Sequence, residues 1–322
     1  MVDFNFGKWN NYLGWLVFFV ALVTYWLTVE PSSSYWDCAE YITTSANLEV
    51  GHPPGAPLYQ IMGAFFSMFA SDLTKIAYMV NMMSVFASAF TILFMFWSMT
   101  LILKNIFEKN SEFNTTNAAL TLAAALIGSL TFTFTDSFWF SAVEAEVYAM
   151  ASCFMALLFY LALRWINDFD SPRSSRWLVL IAFVIGLSFG VHFMGLLTIP
   201  AMVLLYYFKT TPKITTKNFI LAHLAAVGIL LFVFLFFGPG TMRLFSASEL
   251  FFVNTIGLPF DSGTIIAALF VIGFFIFSIR YTQKKGYITA NTFVLCLLFV
   301  FIGFSSWMML PIRANAGTVI NE

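Results

Sequence analysis

The residues best suited to chemistry in this sequence lie in one polar stretch between its first two long apolar runs. The stretch contains WDCAEY (residues 36–41), with Asp37 and Glu40, and GHPPGAPLY (residues 51–59), with His52. A carboxylate can act as a general base, a metal ligand or an acceptor for sugar hydroxyls, and a histidine can hydrogen-bond a phosphate or a sugar. We therefore take Asp37, Glu40 and His52 as the first candidate site residues.

The local spacing predicts a short helix that positions the two acids. Ser34 is expected to cap this helix, with Asp37 three residues later completing a capping box, and Gly51 with the prolines is expected to end it. Asp37 and Glu40 would then lie one turn apart on the same face. The alternative from spacing alone is a capped surface helix whose acids face water, beside a structural His52.

Two further acids, Glu144 and Glu146, lie in VEAEVYA (residues 143–149) where a span is predicted to begin. Helical residues two apart point in different directions, so only one of the two is expected to face a site easily. The alternative is that both complement the positive end of a helix dipole. His192 lies in GVHFMGLL (residues 190–197), at the tip of two short apolar runs, and a histidine at membrane depth is a functional candidate. If both runs span the membrane, this tip emerges at the outer interface and the argument from depth is weaker.

Two arginines are candidates for binding a phosphate. Arg243 lies in GPGTMR (residues 238–243), which we interpret as a long loop, and Arg313 follows the last apolar run. A guanidinium binds a phosphate through two parallel hydrogen bonds and would stabilise a phosphate leaving group. The alternative for each arginine is a side chain that snorkels to lipid headgroups.

The composition predicts an integral membrane protein. Of the 322 residues, 60% are hydrophobic and only 10% are charged, whereas roughly 25% are charged in a soluble domain. The net charge of −1 indicates no nucleic-acid partner, and the three cysteines suggest no disulfide framework. The lipid bilayer is therefore the expected surroundings of most of the chain.

Apolar runs near the roughly 20 residues that cross a bilayer predict nine spans. We expect them at about 13–30, 76–103, 116–136, 145–166, 176–191, 193–208, 218–237, 263–279 and 288–309. The shorter run at about 57–70 is interpreted as a helix lying in the membrane interface, with Pro57 in its first turn. This arrangement puts twelve of the 15 basic residues on one side, so the positive-inside rule makes that side, with the N-terminus, cytoplasmic. The candidate acids then face outward.

The chain is thus predicted to be an all-α polytopic membrane protein with a single transmembrane domain over residues 1–322. The sequence shows no internal repeat and no soluble domain. It is compatible with the N-terminal part of a longer protein.

Five motifs in this order resemble a bacterial family of multi-pass membrane proteins, which is related to a eukaryotic transmembrane protein O-mannosyltransferase. They are WDCAEY, GHPPGAPLY, VEAEVYA, GVHFMGLL and MLPIRANA (residues 309–316). The resemblance covers nearly the whole chain. It implies a C-type glycosyltransferase-like helical bundle, in a bacterial inner membrane, with its site on the periplasmic face.

The resemblance also implies an activity and its residues. Proteins of that superfamily carry their catalytic base in the first outer loop, which corresponds here to Asp37, with Glu40 beside it. They move a sugar from a polyprenyl phosphate to a hydroxyl, here on a protein Ser or Thr or on a glycan, with inversion at the sugar carbon. The implied substrate-binding residues are His52, Glu144, Glu146, His192, Arg243 and Arg313. Whether a divalent metal assists is left open.

The main alternative is a transporter or flippase for a lipid-linked or small anionic substrate. Such a protein binds near the bilayer midplane with charged groups inside its spans, and often has repeated halves. Here the predicted spans hold almost no ionisable residue near their centres, and the acids cluster in loops. Both observations favour an enzyme, and a non-catalytic assembly scaffold is a third interpretation.

Overall fold

The computed structural model describes residues 5–321, so the first and last residues of the predicted domain lie outside the described part. Within that part the regular structure is helical, apart from one isolated bridge between Val50 and Asn321. The α-helices are α1 Phe6–Leu27, α2 Cys38–Asn47, α3 Pro57–Ser67, α4 Ile76–Asn110, α5 Thr115–Thr133, α6 Asp136–Ala142, α7 Val147–Asn167, α8 Ser175–Phe189, α9 Ile199–Thr210, α10 Thr216–Phe232, α11 Gly238–Leu250, α12 Ser262–Lys285, α13 Ile288–Phe304 and α14 Met309–Ala314.

Among the described residues, eight helical stretches are long and apolar enough to cross a membrane. They are Phe6–Leu27, Leu73–Asn110, Thr115–Thr133, Val147–Asn167, Phe193–Thr210, Thr216–Thr255, Ser262–Lys285 and Ile288–Ala314. The ninth predicted span corresponds to α8, which is apolar but has only 15 residues, or about 22 Å at 1.5 Å per residue. The prediction of an all-α polytopic membrane protein is confirmed, with eight full-length spanning candidates where nine were expected.

The chain forms two compact units. The first contains the residues up to Arg164, the segment Leu187–Gly195 and the residues from Phe304 onward. One of its hydrophobic cores lies where α1, α4 and α5 pack together, and the buried Tyr25 hydroxyl donates a hydrogen bond there to the Thr133 carbonyl over 2.9 Å. This unit holds all the candidate site residues except Arg243.

Helix α3 begins with Pro57 at the start of its first turn, as predicted. Its 11 residues span about 16 Å, roughly half the hydrocarbon thickness of a bilayer. The backbone N–H groups of Leu58 and Tyr59 both donate to the carbonyl of Gly190, which provides an acceptor for groups that a helix start leaves unpaired. Helix α3 is thereby fixed to the tip that follows α8. Its position in the membrane interface stays a prediction.

The second unit contains Trp165–Gly186 and Leu196–Gly303. Its structure corrects the interpretation of residues 238–243 as a loop, because these residues belong to α11. Pro239 lies near the start of α11, directly after the π-helical turn Val233–Phe237 and inside the continuous helical stretch Thr216–Thr255. A proline inside a membrane helix is tolerated where local π-helical adjustment accommodates the hydrogen bond that it removes. Arg243 consequently lies on a helix.

Candidate functional site

The helix predicted around the two acids exists, but its start differs from the prediction. Helix α2 begins at Cys38, and Asp37 is the N-cap residue, yet the Asp37 side chain makes no capping hydrogen bond. The expected capping box is therefore wrong. Instead of capping α2, the Ser34 hydroxyl donates to the carboxylate of Glu144, which lies 110 residues further along the chain. A long-range contact has replaced the local one.

Glu144 and Glu146 both contact the start of α2. Glu146 accepts a hydrogen bond from the Cys38 thiol, whose sulfur is 3.6 Å from the Glu146 Oε1. The expectation that only one of the two acids would face the site easily is wrong, because both precede α7 in a non-helical segment. These two acids bind Ser34 and Cys38 at the start of α2 and leave the Asp37 side chain available.

This carboxylate pair is removed from water. Glu144 and Glu146 are 4% and 5% exposed, and burial raises the pKa of both carboxyl groups above the ordinary value. Burial also raises the pKa of the Cys38 thiol, to about 12. Cys38 therefore keeps its proton at neutral pH and remains a donor to Glu146.

His52 lies between the two acids of α2. Its Nδ1 is 3.0 Å from both Glu40 carboxylate oxygens, its backbone N–H donates to Glu40 Oε1 over 2.7 Å, and its Nε2 is 3.9 Å from Asp37 Oδ2. The side chains of Asp37, His52 and Glu40 are 56%, 34% and 26% exposed. Glu40 is thus engaged by His52 through two groups, whereas Asp37 is the most accessible member. We call these three residues the Asp37–His52–Glu40 cluster.

The loop after α2 brings His52 back to Glu40. Helix α2 ends at Asn47, followed by Leu48 in the left-handed conformation with φ of 50°. Gly51 was expected to end the helix, so this prediction is wrong. Gly51 instead allows a close approach, because a Cβ atom there would lie 2.7 Å from Glu40 Oε1. Such a distance is well below van der Waals contact.

Aromatic side chains pack beside the Asp37–His52–Glu40 cluster. The ring of Tyr41 lies 5.7 Å from the His52 ring and 5.1 Å from the ring of Tyr59. Tyr41 and Tyr59 belong to a buried hydrophobic cluster to which α2, α3, α4 and α7 all contribute. The Asp37–His52–Glu40 cluster is therefore packed against a buried apolar core through Tyr41.

His192 lies in the same unit, in the tip after α8. Its Nδ1 accepts a hydrogen bond from the Met194 backbone N–H over 3.1 Å, which places the proton of the neutral ring on Nε2. Burial lowers the pKa of His192, and its ring lies 5.6 Å from that of Tyr148, two residues after Glu146. Gly190 in this tip packs closely against α3, since a Cβ there would lie 2.8 Å from Leu58 Cβ. A role for His192 in binding substrate stays a prediction.

The two arginines have different surroundings. Arg313 donates through its Nε to the Leu48 carbonyl, over 2.5 Å, and through Nη2 to the Asn47 carbonyl, over 3.2 Å. Arg243 lies on α11 in the second unit. A phosphate-binding role stays a prediction for both, and for Arg313 it competes with these backbone contacts.

The Asp37–His52–Glu40 cluster has the donor atoms of a metal site. One ligand atom from each residue can be chosen so that all three lie within 4.8 Å of one another. An imidazole nitrogen with two carboxylates is a set of ligand types that Zn²⁺ and Mn²⁺ accept. A divalent cation is compatible with this geometry.

The fold and this cluster define the class of the protein, an all-α polytopic membrane protein with a carboxylate–histidine site on a segment between its first two spans. A family model described as the N-terminal domain of protein O-mannosyl-transferase TMEM260 matches residues 37–215. The chain belongs to this family. The matched part begins at Asp37 and includes every candidate site residue except the two arginines.

Two curated relatives carry the same name. The chain is 27% identical to protein O-mannosyl-transferase tmem260 of Dictyostelium discoideum over 197 residues, which are 58% of this chain and 22% of that protein. It is 25% identical to protein O-mannosyl-transferase TMEM260 of Mus musculus over 172 residues, 53% of this chain and 22% of that protein. The chain thus matches about a fifth of the length of each relative. No solved structure matches, so the C-type glycosyltransferase arrangement stays a prediction.

Sequence reasoning missed several residues that shape the site. Ser34 and Cys38 contact the acids of the second motif, and Gly51 provides room for Glu40. The contacts of Ser34 and Cys38 with residues more than 100 positions away have no local signal. Gly51 did have one, because a glycine directly before His52 is typical of a close backbone approach.

Proposed function

We propose that this chain forms the membrane-embedded catalytic part of a glycosyltransferase that moves a sugar from a polyprenyl phosphate to a hydroxyl group of a protein. The observation that carries this proposal is the Asp37–His52–Glu40 cluster, located where the family match begins. The names of the relatives suggest mannose as the sugar and protein hydroxyls as acceptors.

In the proposed reaction Asp37 is the general base. The acceptor oxygen attacks C1 of the sugar from the side opposite the phosphate, and its proton passes to the Asp37 carboxylate. The bond between C1 and the phosphate oxygen breaks, and its electron pair leaves with the polyprenyl phosphate. Attack from the opposite side inverts the configuration at C1. The exposure of Asp37 supports this role, because an acceptor must reach its oxygens.

Glu40 and His52 have supporting roles in this mechanism. Glu40 accepts from His52 Nδ1 and so directs Nε2 towards Asp37. The His52 Nε2 atom can also hydrogen-bond a substrate hydroxyl. Both carboxylates are therefore coupled to one imidazole, and the three residues are expected to act as a unit.

Apolar surface next to α3 supports a lipid-linked donor. The side chains of Ile61 and Phe65 on α3 and of Phe69, two residues after its end, are exposed. An open groove of about 450 Å³ beside them has an almost entirely apolar lining that includes Phe69, Phe86 and Trp26. Such surfaces bind isoprenoid or acyl chains through the hydrophobic effect. We place the reaction on the non-cytoplasmic face, because the basic residues concentrate in the loops of the opposite side.

The proposal is tested with purified protein in proteoliposomes that contain a polyprenyl-phosphate mannose labelled in the sugar. A Ser- or Thr-containing acceptor peptide is added outside. The account expects label to appear covalently on the peptide and free polyprenyl phosphate to accumulate in equal amount. Label that crosses the bilayer while still attached to its lipid, with none on peptide, would favour the flippase alternative instead.

A further inference from the structure

The C-terminal end of α2 is held by the last described residues of the same unit. Arg313 donates to the carbonyls of Asn47 and Leu48, which end α2 and lack a further turn of helix to bind. Carbonyl groups at a helix C-terminus carry partial negative charge, so a cation bound there is stabilising. This contact links residues 265 and 266 positions apart.

Further contacts continue along the loop that leads to His52. The Val319 backbone N–H donates to the buried Glu49 carboxylate over 3.2 Å, and the Val50 backbone N–H donates to the Ile320 carbonyl over 3.2 Å. Val50 also forms the isolated bridge with Asn321. Residues 47–50 are therefore fixed on one side by Arg313 and the segment that follows it. We call residues 313–321 the C-terminal clamp.

Val50, which the clamp binds, lies two positions before His52 in the sequence. Only Gly51 separates Val50 from His52, and the His52 backbone N–H and ring both contact Glu40. The opposite end of α2 contacts Glu146 through the Cys38 thiol. Without the clamp, α2 would keep this contact at Cys38 but lose the one at Asn47, so the loop carrying His52 could move away from Glu40.

We propose that Arg313 is a positioning residue of this site, which acts through the α2 C-terminus and the following loop instead of binding the donor phosphate. The inference rests on the proposed function for its kinetic consequence. Its structural part, the fixing of residues 47–52, does not depend on any activity. Arg313 thereby keeps His52 between the two carboxylates.

Three variants test this inference: Arg313→Ala, Arg313→Lys and the control Ile312→Ala, which changes the exposed neighbouring residue of α14. Hydrogen exchange of backbone amides 47–52 is measured first. Exchange should become about tenfold faster in Arg313→Ala, because opening requires fewer broken contacts. Arg313→Lys should restore part of the protection, since an ammonium still binds carbonyl groups but lacks the two-pronged geometry. Ile312→Ala should exchange like the parent.

Kinetics then separate positioning from phosphate binding. For Arg313→Ala the account expects kcat to fall about 10²-fold, while the KM for the polyprenyl-phosphate sugar and the inhibition constant of free polyprenyl phosphate stay within about twofold. Unchanged exchange at residues 47–52 would refute the clamp whatever the activity. Unchanged exchange with weaker inhibition by polyprenyl phosphate would identify Arg313 as a phosphate ligand. If even the parent transfers no sugar, the proposed function fails, and the exchange result still decides the clamp.

Discussion

At the scale of single residues, the two acids of α2 have different environments although they lie one turn apart. Glu40 receives two hydrogen-bonding groups of His52, whereas Asp37 only approaches the ring, at 3.9 Å, and is more than half exposed. A substrate hydroxyl reaches the oxygens of an exposed carboxylate more easily than those of a carboxylate already engaged by its neighbours. This difference supports Asp37 as the base and Glu40 as the residue that orients His52.

The first prediction concerns Gly51. In Gly51→Ala the new Cβ would lie 2.7 Å from Glu40 Oε1, so the Glu40 carboxylate must shift from the position in which it binds His52. We expect sugar transfer to slow by about 10²-fold, as displacements near 1 Å commonly do, while the protein remains folded. The measurement is the initial transfer rate beside a thermal unfolding curve. Gly228→Ala is the matched control, because no atom lies within 4 Å of the added Cβ. Equal rates in both variants would contradict the geometry.

The second prediction concerns the buried acids Glu144 and Glu146. Burial raises their pKa in the folded protein above the ordinary value of 4.5, so folding favours the protonated forms. Their contribution to stability is full below pH 4.5 and is lost as the pH rises through the raised values. Thermal unfolding measured from pH 4 to 8 should show this decline.

The variant Glu146→Gln should flatten that decline, because its amide does not ionise. Glu112→Gln, which removes an exposed carboxylate outside the cluster, should keep the parent's pH dependence. A Glu146→Gln protein whose unfolding temperature declines with pH as steeply as the parent's would show that Glu146 is not the group responsible.

At the scale of elements, α2 illustrates what the sequence could predict. Local signals predicted the helix that starts within WDCAEY, and they also predicted Pro57 at the start of α3. The capping box is wrong because the Ser34 hydroxyl donates to Glu144 instead, and α2 ends at Asn47, four residues before Gly51, where Arg313 binds the last carbonyls. Local patterns thus predicted the elements, while distant partners determined their ends.

The third prediction concerns the attachment of α3 to the tip after α8. A Cβ at Gly190 would lie 2.8 Å from Leu58 Cβ and 3.3 Å from the Leu58 backbone nitrogen, which itself donates to Gly190. Gly190→Ala should therefore destabilise the protein by about 1–3 kcal/mol, the usual cost of overpacking. Chemical denaturation in detergent measures this. Gly273→Ala, where the added Cβ meets nothing within 4 Å, should leave stability within about 0.5 kcal/mol. A stable Gly190→Ala protein would refute the contact.

At the scale of the whole molecule, the composition and the lengths of the apolar runs sufficed to predict a polytopic helical membrane protein. They failed where a helix continues through Gly238 and Pro239, because these residues usually interrupt helices and the π-helical turn before them has no clear sequence signal. Charge distribution predicts the orientation in the membrane, which the helices alone do not reveal.

The fourth prediction concerns that orientation. Single cysteines at Ser33 and Ser111, on either side of the span Leu73–Asn110, should react differently with a membrane-impermeant thiol reagent in intact cells. Ser33→Cys should be labelled from outside, and Ser111→Cys only after the membrane is opened. The background is a chain in which the three native cysteines are replaced by serine. The reverse pattern would move the site to the cytoplasmic face.

The measurement that tests the central claim most directly is sugar transfer by Asp37→Asn. The substitution keeps the size of the side chain and removes the base, so the account predicts a fall in kcat of about 10²-fold or more, with donor binding retained. Asp136→Asn, which changes an exposed acid on α6, should transfer sugar like the parent. Transfer by Asp37→Asn at the parent's rate would contradict the assignment of Asp37 as the catalytic base.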